Sequence, residues 1–166
     1  MNIFYRFCAV CALIVGLTQG AAAATLPTEI ATQVNTLAAS GDVAGIAALA
    51  AANPSLAIDI ATLAATDRAD LAALIAGAIA AADPADAAAI ALAVLAALPA
   101  DQRDAAGPII AAAVIQAVPG SEATLTAAGF SPAANLNSTL AAQLTAILAT
   151  GFTPPSENSR QVGSPA

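Results

Sequence analysis

Helix breakers interrupt this chain at near-regular steps. Ser40-Gly41-Asp42, Asn53-Pro54, Asp67-Arg68, Asp83-Pro84 and Asp101-Gln102 follow one another at intervals of 13, 14, 16 and 18 residues, and Pro119-Gly120-Ser121 closes the series. Each has a physical role at a helix end. Asn or Asp accepts hydrogen bonds from the free amides of a first helical turn. A proline beside it occupies a position where a missing N–H costs nothing. The segments between are rich in alanine, the strongest helix former, with leucine close behind; 52 of the 166 residues are alanine. Apolar residues recur there at helical spacing, as in Ile30, Val34 and Leu37, in Leu71, Leu74, Ile75 and Ile79, and in Leu136, Leu140, Leu144, Ile147 and Leu148. No stretch alternates as a strand does. The expectation is an all-α fold of about seven to eight short antiparallel helices, each of about 10 to 17 residues, arranged as a degenerate helical-repeat array or a bundle.

A repeat is visible in the acids. Asp67-Arg68-Ala69-Asp70-Leu71 overlays Asp83-Pro84-Ala85-Asp86-Ala87 at an offset of 16, and Asp101-Gln102-Arg103-Asp104 follows at 18. Two readings attach to the pairs Asp67/Asp70, Asp83/Asp86 and Asp101/Asp104. In one, the leading Asp caps a helix and its partner faces the positive end of the helix dipole. In the other, the paired carboxylates begin a calcium site, which takes about six to eight oxygens. No glycine-rich Asp-x-Asp-x-Asp loop accompanies any pair, so capping is the expectation. Arg68 and Arg103 are expected to pair with neighbouring Asp residues, and Asp59 to lie on a solvated side. Pro108, after Gly107, should kink or split the helix that begins near Asp101. Gly129-Phe130-Ser131-Pro132 returns 22 residues later as Gly151-Phe152-Thr153-Pro154. In each, glycine is expected to end a helix in the left-handed conformation and phenylalanine to cover the end.

Residues 1–24 have the layout of a secretory signal peptide. Arg6 and the amino terminus are positive, Phe7 to Leu17 is apolar, and Ala21 to Ala24 are small. Cleavage is expected after Ala24, with Ala23 as the alternative. The apolar run is far shorter than the roughly 20 residues that span a bilayer. Cys8 and Cys11 lie inside it, so the exported chain has no thiol. A helical domain is expected over 25–151, and a disordered polar tail over 152–166. The location that follows is periplasmic or extracellular.

The exported chain sets three arginines against eleven acids, a net charge of −8. Such a surface argues against nucleic acid as a partner. The exported chain also lacks histidine, cysteine, lysine and tyrosine. Most general bases and nucleophiles are thereby removed. A carboxylate pair could serve glycoside hydrolysis, but such a cleft is usually walled by aromatics, and the exported chain has only two, both phenylalanine. No enzyme activity, catalytic residue, cofactor or metal ligand is assigned. The longest apolar runs are Leu71–Ala82, Ala87–Ala100 and Ile109–Val118. A helix of 12 residues is about 18 Å long, against a hydrocarbon core of about 30 Å. Asp83, Asp86, Asp101, Arg103 and Asp104 interrupt anything longer, which argues against integral membrane insertion. Alanine faces should instead let helices approach toward the lower end of the roughly 8–10 Å packing range. The functional expectation is an exported, non-catalytic structural or protein-interaction module of a bacterial periplasm or cell envelope. It would pack on itself or on another envelope protein through small-residue helix faces. The alternatives are a membrane-active helical protein that inserts on oligomerising, and a calcium-stabilised helical repeat.

Overall fold

The computed structural model describes residues 26–133 and 136–151. The expected signal peptide and polar tail lie outside the described residues. Those residues form eight α-helices and no strand: α1 (Thr28–Ser40), α2 (Val43–Ala52), α3 (Ala57–Asp67), α4 (Ala72–Ala82), α5 (Ala87–Ala97), α6 (Ala100–Ala117), α7 (Glu122–Ala127) and α8 (Ser138–Ala149). Single 3-10 turns, Pro54–Leu56, Ala69–Leu71 and Pro84–Asp86, lead into α3, α4 and α5.

The three middle helices step at a constant 15 residues. Each unit is one junction residue, a three-residue 3-10 turn and an 11-residue helix. The junction residues Asn53, Arg68 and Asp83 share one backbone conformation, with φ of −133°, −134° and −133° and ψ of 63°, 69° and 80°. The offset of 16 expected from the acids is therefore corrected to 15. Asp83 corresponds to Arg68 and Asn53, whereas Asp67 is the last residue of α3. Acids on a surface can shift by a residue at little cost. A buried face cannot, because one residue rotates a helix by about 100°.

That buried face is what repeats. Val43, Ile46, Ala47 and Ala50 are buried in α2, and Ala57, Ile60, Ala61 and Ala64 in α3. Ala72, Ile75, Ala76 and Ile79 follow in α4, and Ala87, Ile90, Ala91 and Val94 in α5. Gly107, Ile110, Ala111 and Val114 complete the series in α6. Every set occupies i, i+3, i+4 and i+7, one stripe of a helix. The central Ile-Ala pair puts one branched side chain beside one methyl, so neighbouring stripes can interdigitate closely. The end helices carry the same spacing in Ile30-Ala31 with Val34, and in Leu140-Ala141 with Leu144. Of these six residues, Val34 and Leu144 are buried and the other four are half-exposed.

Each of the first six helices packs mainly against the next but one. α1 lies on α3 and α3 on α5, while α2 lies on α4 and α4 on α6. α8 returns to cover α4 and touches α6. α4 is thus the centre, buried continuously from Leu74 to Ala80. Its small residues let the neighbours close in. A Cβ added to Gly77 would lie 3.1 Å from the Ala113 carbonyl of α6 and 3.1 Å from Leu144 Cδ1 of α8.

Pro108 does not split its helix, splitting being one of the two outcomes the sequence allows. α6 runs unbroken from Ala100 to Ala117 with Pro108 inside it. The proline removes the bond to the Asp104 carbonyl. Asp104 is exposed, so water can take the place of the lost donor. Pro108 also gains a tie of its own, because its carbonyl accepts from Ala133 N at 3.0 Å.

The two Gly-Phe sites end helices as expected. Gly129 has φ +93° and Gly151 has φ +61°. Beyond α7, Gly129 N donates to Thr126 O and Phe130 N to Leu125 O, both at 3.0 Å. This is the paired 5→2 and 6→1 arrangement of a Schellman cap. Phe130 is 5% exposed. Phe152 lies outside the described residues.

Candidate interaction surface

The acid pairs do not cap the helices that follow them. Asp83 and Asp86 stand at helix starts, but neither side chain accepts a capping bond. Asp101 lies inside the first turn of α6, whose N-cap is Pro99. Asp67 sits at the C-terminal end of α3, where Asn35, its amide turned to suit its neighbours, donates to Asp67 Oδ2 at 3.0 Å. Side-chain caps occur instead at Asp42, which accepts from Gly45 N at 2.9 Å, and at Asn137, which accepts from Leu140 N at 2.8 Å. The acids do not mark the helix starts, because a 3-10 turn intervenes before α4 and α5. Among the described residues, no group of three acids, cysteines or histidines is placed to hold a metal ion.

Among the described residues, both arginines bind carbonyls at helix ends. Arg68 binds Asp70 through Nε at 2.9 Å and Nη2 at 2.8 Å, the pairing expected from the sequence. Its Nη1 also reaches the Ala38 carbonyl of α1 at 3.0 Å. The hydrogen bond from Arg68 holds the Asp70 carboxyl below its usual range, and the same bond raises the guanidinium. Arg103 departs from expectation. It donates to the carbonyls of Leu98 at 2.9 Å and Ala96 at 2.7 Å, closing the end of α5. A cation there also meets the negative end of the helix dipole. Asp59 is half-buried in the first turn of α3 rather than fully solvated.

Among the described residues, nothing covers the outer side of α5. This helix has the sequence AAAIALAVLAA and no polar side chain. One side is buried through Ala87, Ile90, Ala91 and Val94. The other leaves Ala89, Leu92 and Ala96 exposed. Leu92 is 45% exposed, with Ile109 of neighbouring α6 at 42%. The 15-residue step makes the situation legible. The position of Leu92 in α5 is that of Gly77 in α4 and Thr62 in α3. In α4 this position receives Leu144 of α8. In α3 it is a threonine, whose hydroxyl donates to the Ile58 carbonyl at 2.8 Å. In α5 it is a leucine facing water. Sequence periodicity missed this face because α5 is apolar all round, and such a helix gives no stripe to read.

Among the described helices, none is long and apolar enough to cross a membrane alone. The segments Val43–Ala52 and Pro54–Asp67 reach the necessary length and composition together, but they meet at 116°. No family model, curated protein or solved structure gave a significant match to this chain.

Proposed function

We propose that the chain is an exported, non-catalytic structural or interaction module of the bacterial periplasm or cell envelope. It acts by packing the outer face of α5 against a small-residue helix, in the first instance that of a second copy. One observation carries this reading: the register position that receives a helix in α4 holds an uncovered leucine in α5. An apolar, unpartnered face of this kind is a favourable place for association, because burial there needs no polar desolvation. The stack of helices on next-but-one neighbours fits a helical-repeat array that begins at α1, with α8 folded back over the central helix α4. Export rests on the sequence of residues 1–24, and the tail is assigned from the composition of 152–166. The acidic balance and the lack of histidine, lysine and cysteine in the exported chain support a binding role over catalysis.

The test is the absolute mass of residues 25–166 by light scattering after size exclusion, without detergent. Detection uses refractive index, because these residues contain no tryptophan or tyrosine. A discrete oligomer that becomes monomeric in Leu92→Glu is the expected result. A monodisperse wild-type monomer would rule out self-packing and leave another envelope protein as the partner. Insolubility without detergent would favour the membrane-active reading instead.

A further inference from the structure

The surface beneath α8 is distinct from the outer face of α5. In α2, α4 and α6 the residue two places after the central isoleucine is small: Ala48, Gly77 and Ala112. In α1, α3 and α5 that position holds Thr32, Thr62 and Leu92. The even-numbered helices lie side by side, α2 on α4 and α4 on α6, so their three small residues form a row. α8 lies across all three helices. Leu136, just before α8, shares a hollow with Ala112, Leu144 rests on Gly77, and Thr150, just after α8, shares a hollow with Ala48. The row is a helix-receiving groove, and α8 is its occupant.

We propose that α8 leaves this groove as a unit and seats in the same groove of a second copy, so that two copies exchange their last helix. Three features set α8 apart from the array. It breaks the next-but-one order, because it lies on α4 more than on α6. Ten residues, 128–137, connect it to α7, against two to four at every other junction. Its hold is thin. Leu144 is the one fully buried residue of α8, while Leu140, Ile147 and Leu148 are half-buried. Gln116, itself exposed, ties α8 to α6 by donating to the Ala141 carbonyl and Thr145 Oγ1, both at 3.2 Å. α8 also carries its own N-cap in Asn137, so its start does not depend on the array. At the three groove positions, departure of α8 uncovers two methyl groups and one hydrogen. Phe130 is buried at the end of α7, and the seven residues after it, 131–137, extend to at most about 25 Å. Reaching a neighbour gives up one further backbone bond, from Ala133 N to the Pro108 carbonyl. The contacts made on arrival are the same as those left behind, and this sameness makes exchange a low-cost route to a dimer. The groove fits a leucine over Gly77 and a hydroxyl beside Gln116, and a second copy carries that pattern by construction.

The experiment is inter-copy cross-linking of residues 25–166, which contain no cysteine. Gln116→Cys and Thr145→Cys are made separately, mixed at high protein concentration and treated with a short bis-maleimide. A covalent dimer joined between positions 116 and 145 is expected in the mixture and not in either variant alone. The doubly substituted chain, at low concentration, should link within itself, which shows that α8 is seated and that the substitutions leave the fold intact. Absence of that internal link overturns the groove assignment. An internal link without any 116–145 link between copies overturns the exchange. The unsubstituted chain gives an independent readout. Amides of α8 should exchange hydrogen at least about tenfold faster than those of α4, as a locally opening unit does. Amides of α8 that are protected as long as those of α4 overturn the proposal. Adding Leu92→Glu to both variants should leave the 116–145 link in place, which separates this surface from the α5 face. Loss of the link there would show that the contact depends on α5 and overturn the groove as a separate site.

Discussion

Arg68 donates from Nη1 to the carbonyl of Ala38, 30 residues earlier in the chain, at 3.0 Å. The same guanidinium grips Asp70 with its other edge. One side chain thus fastens the end of α1 to the junction between α3 and α4. The arrangement needs a planar fork with several donors, which lysine does not have. Arg68→Lys should lower the melting temperature, and Arg68→Ala should lower it further. Asp70→Asn should cost less than either, because it leaves the bond to Ala38. Thermal melts followed by far-UV circular dichroism check the order.

The Arg68–Asp70 pair also gives a sign for pH dependence. Hydrogen bonding from Arg68 lowers the Asp70 carboxyl from its ordinary value. A depressed carboxyl contributes stability above the ordinary carboxylate range, and loses it as pH falls through the lowered value. The pair is exposed, with Asp70 at 64%, so solvent screening keeps the effect small. The difference in melting temperature between wild type and Asp70→Asn should be constant above about pH 5. It should shrink toward zero in stronger acid. A difference that grows on acidification would contradict the assignment.

Capping is predicted to matter at one acid and not at another. Asp42 accepts from Gly45 N, so Asp42→Ala should cost about 0.5–2 kcal/mol. Asp83 makes no capping bond, and Asp83→Ala should stay within about 0.5 kcal/mol of wild type. Urea denaturation of the two variants decides. Equal losses would restore the reading in which both acids cap.

Gly77 lies where α4 meets α6 and α8. Alanine is the better helix former by about 1 kcal/mol. Its methyl would press on the Ala113 carbonyl, which is backbone and yields poorly, and on Leu144, which can turn aside. Overpacking costs about 1–3 kcal/mol, so Gly77→Ala should destabilise on balance. Increased stability in denaturant would show that the helices are looser at this point than the 3.1 Å contact implies.

The 15-residue step predicts equivalence. Ile60, Ile75 and Ile90 occupy one register position and are each fully buried. Ile→Val at each should cost about 0.5–1.5 kcal/mol, with similar values at the three sites. A large loss at Ile75 alone would mean that the central helix dominates and that the register does not set the environment.

Much of the fold was legible from local chemistry. Alanine, leucine spacing and breakers are short-range signals, and they identify the helical class and the approximate number of helices. The period was obscured because the acids are the conspicuous residues, while burial is what fixes register. Ile-Ala pairs at 46, 60, 75, 90 and 110 mark the buried stripe in five helices, and the spacing of those pairs carries the register. The sequence points Arg103 at its neighbouring acids, whereas its partners lie behind it in the chain, at Ala96 and Leu98. The open side of α5 could not be read from the sequence at all. Which side of a uniformly apolar helix meets water depends on tertiary packing.

The employment of both described arginines at helix ends has a consequence for digestion. A protease that cleaves after basic residues finds two target bonds in the described residues, after Arg68 and after Arg103. Such enzymes must draw the basic side chain into a deep pocket and stretch the flanking backbone. Here both guanidiniums are already bound to main-chain carbonyls, and both flanking segments are coiled into helical turns. In the native state the scissile bonds are therefore withheld by the contacts that hold the helices in place.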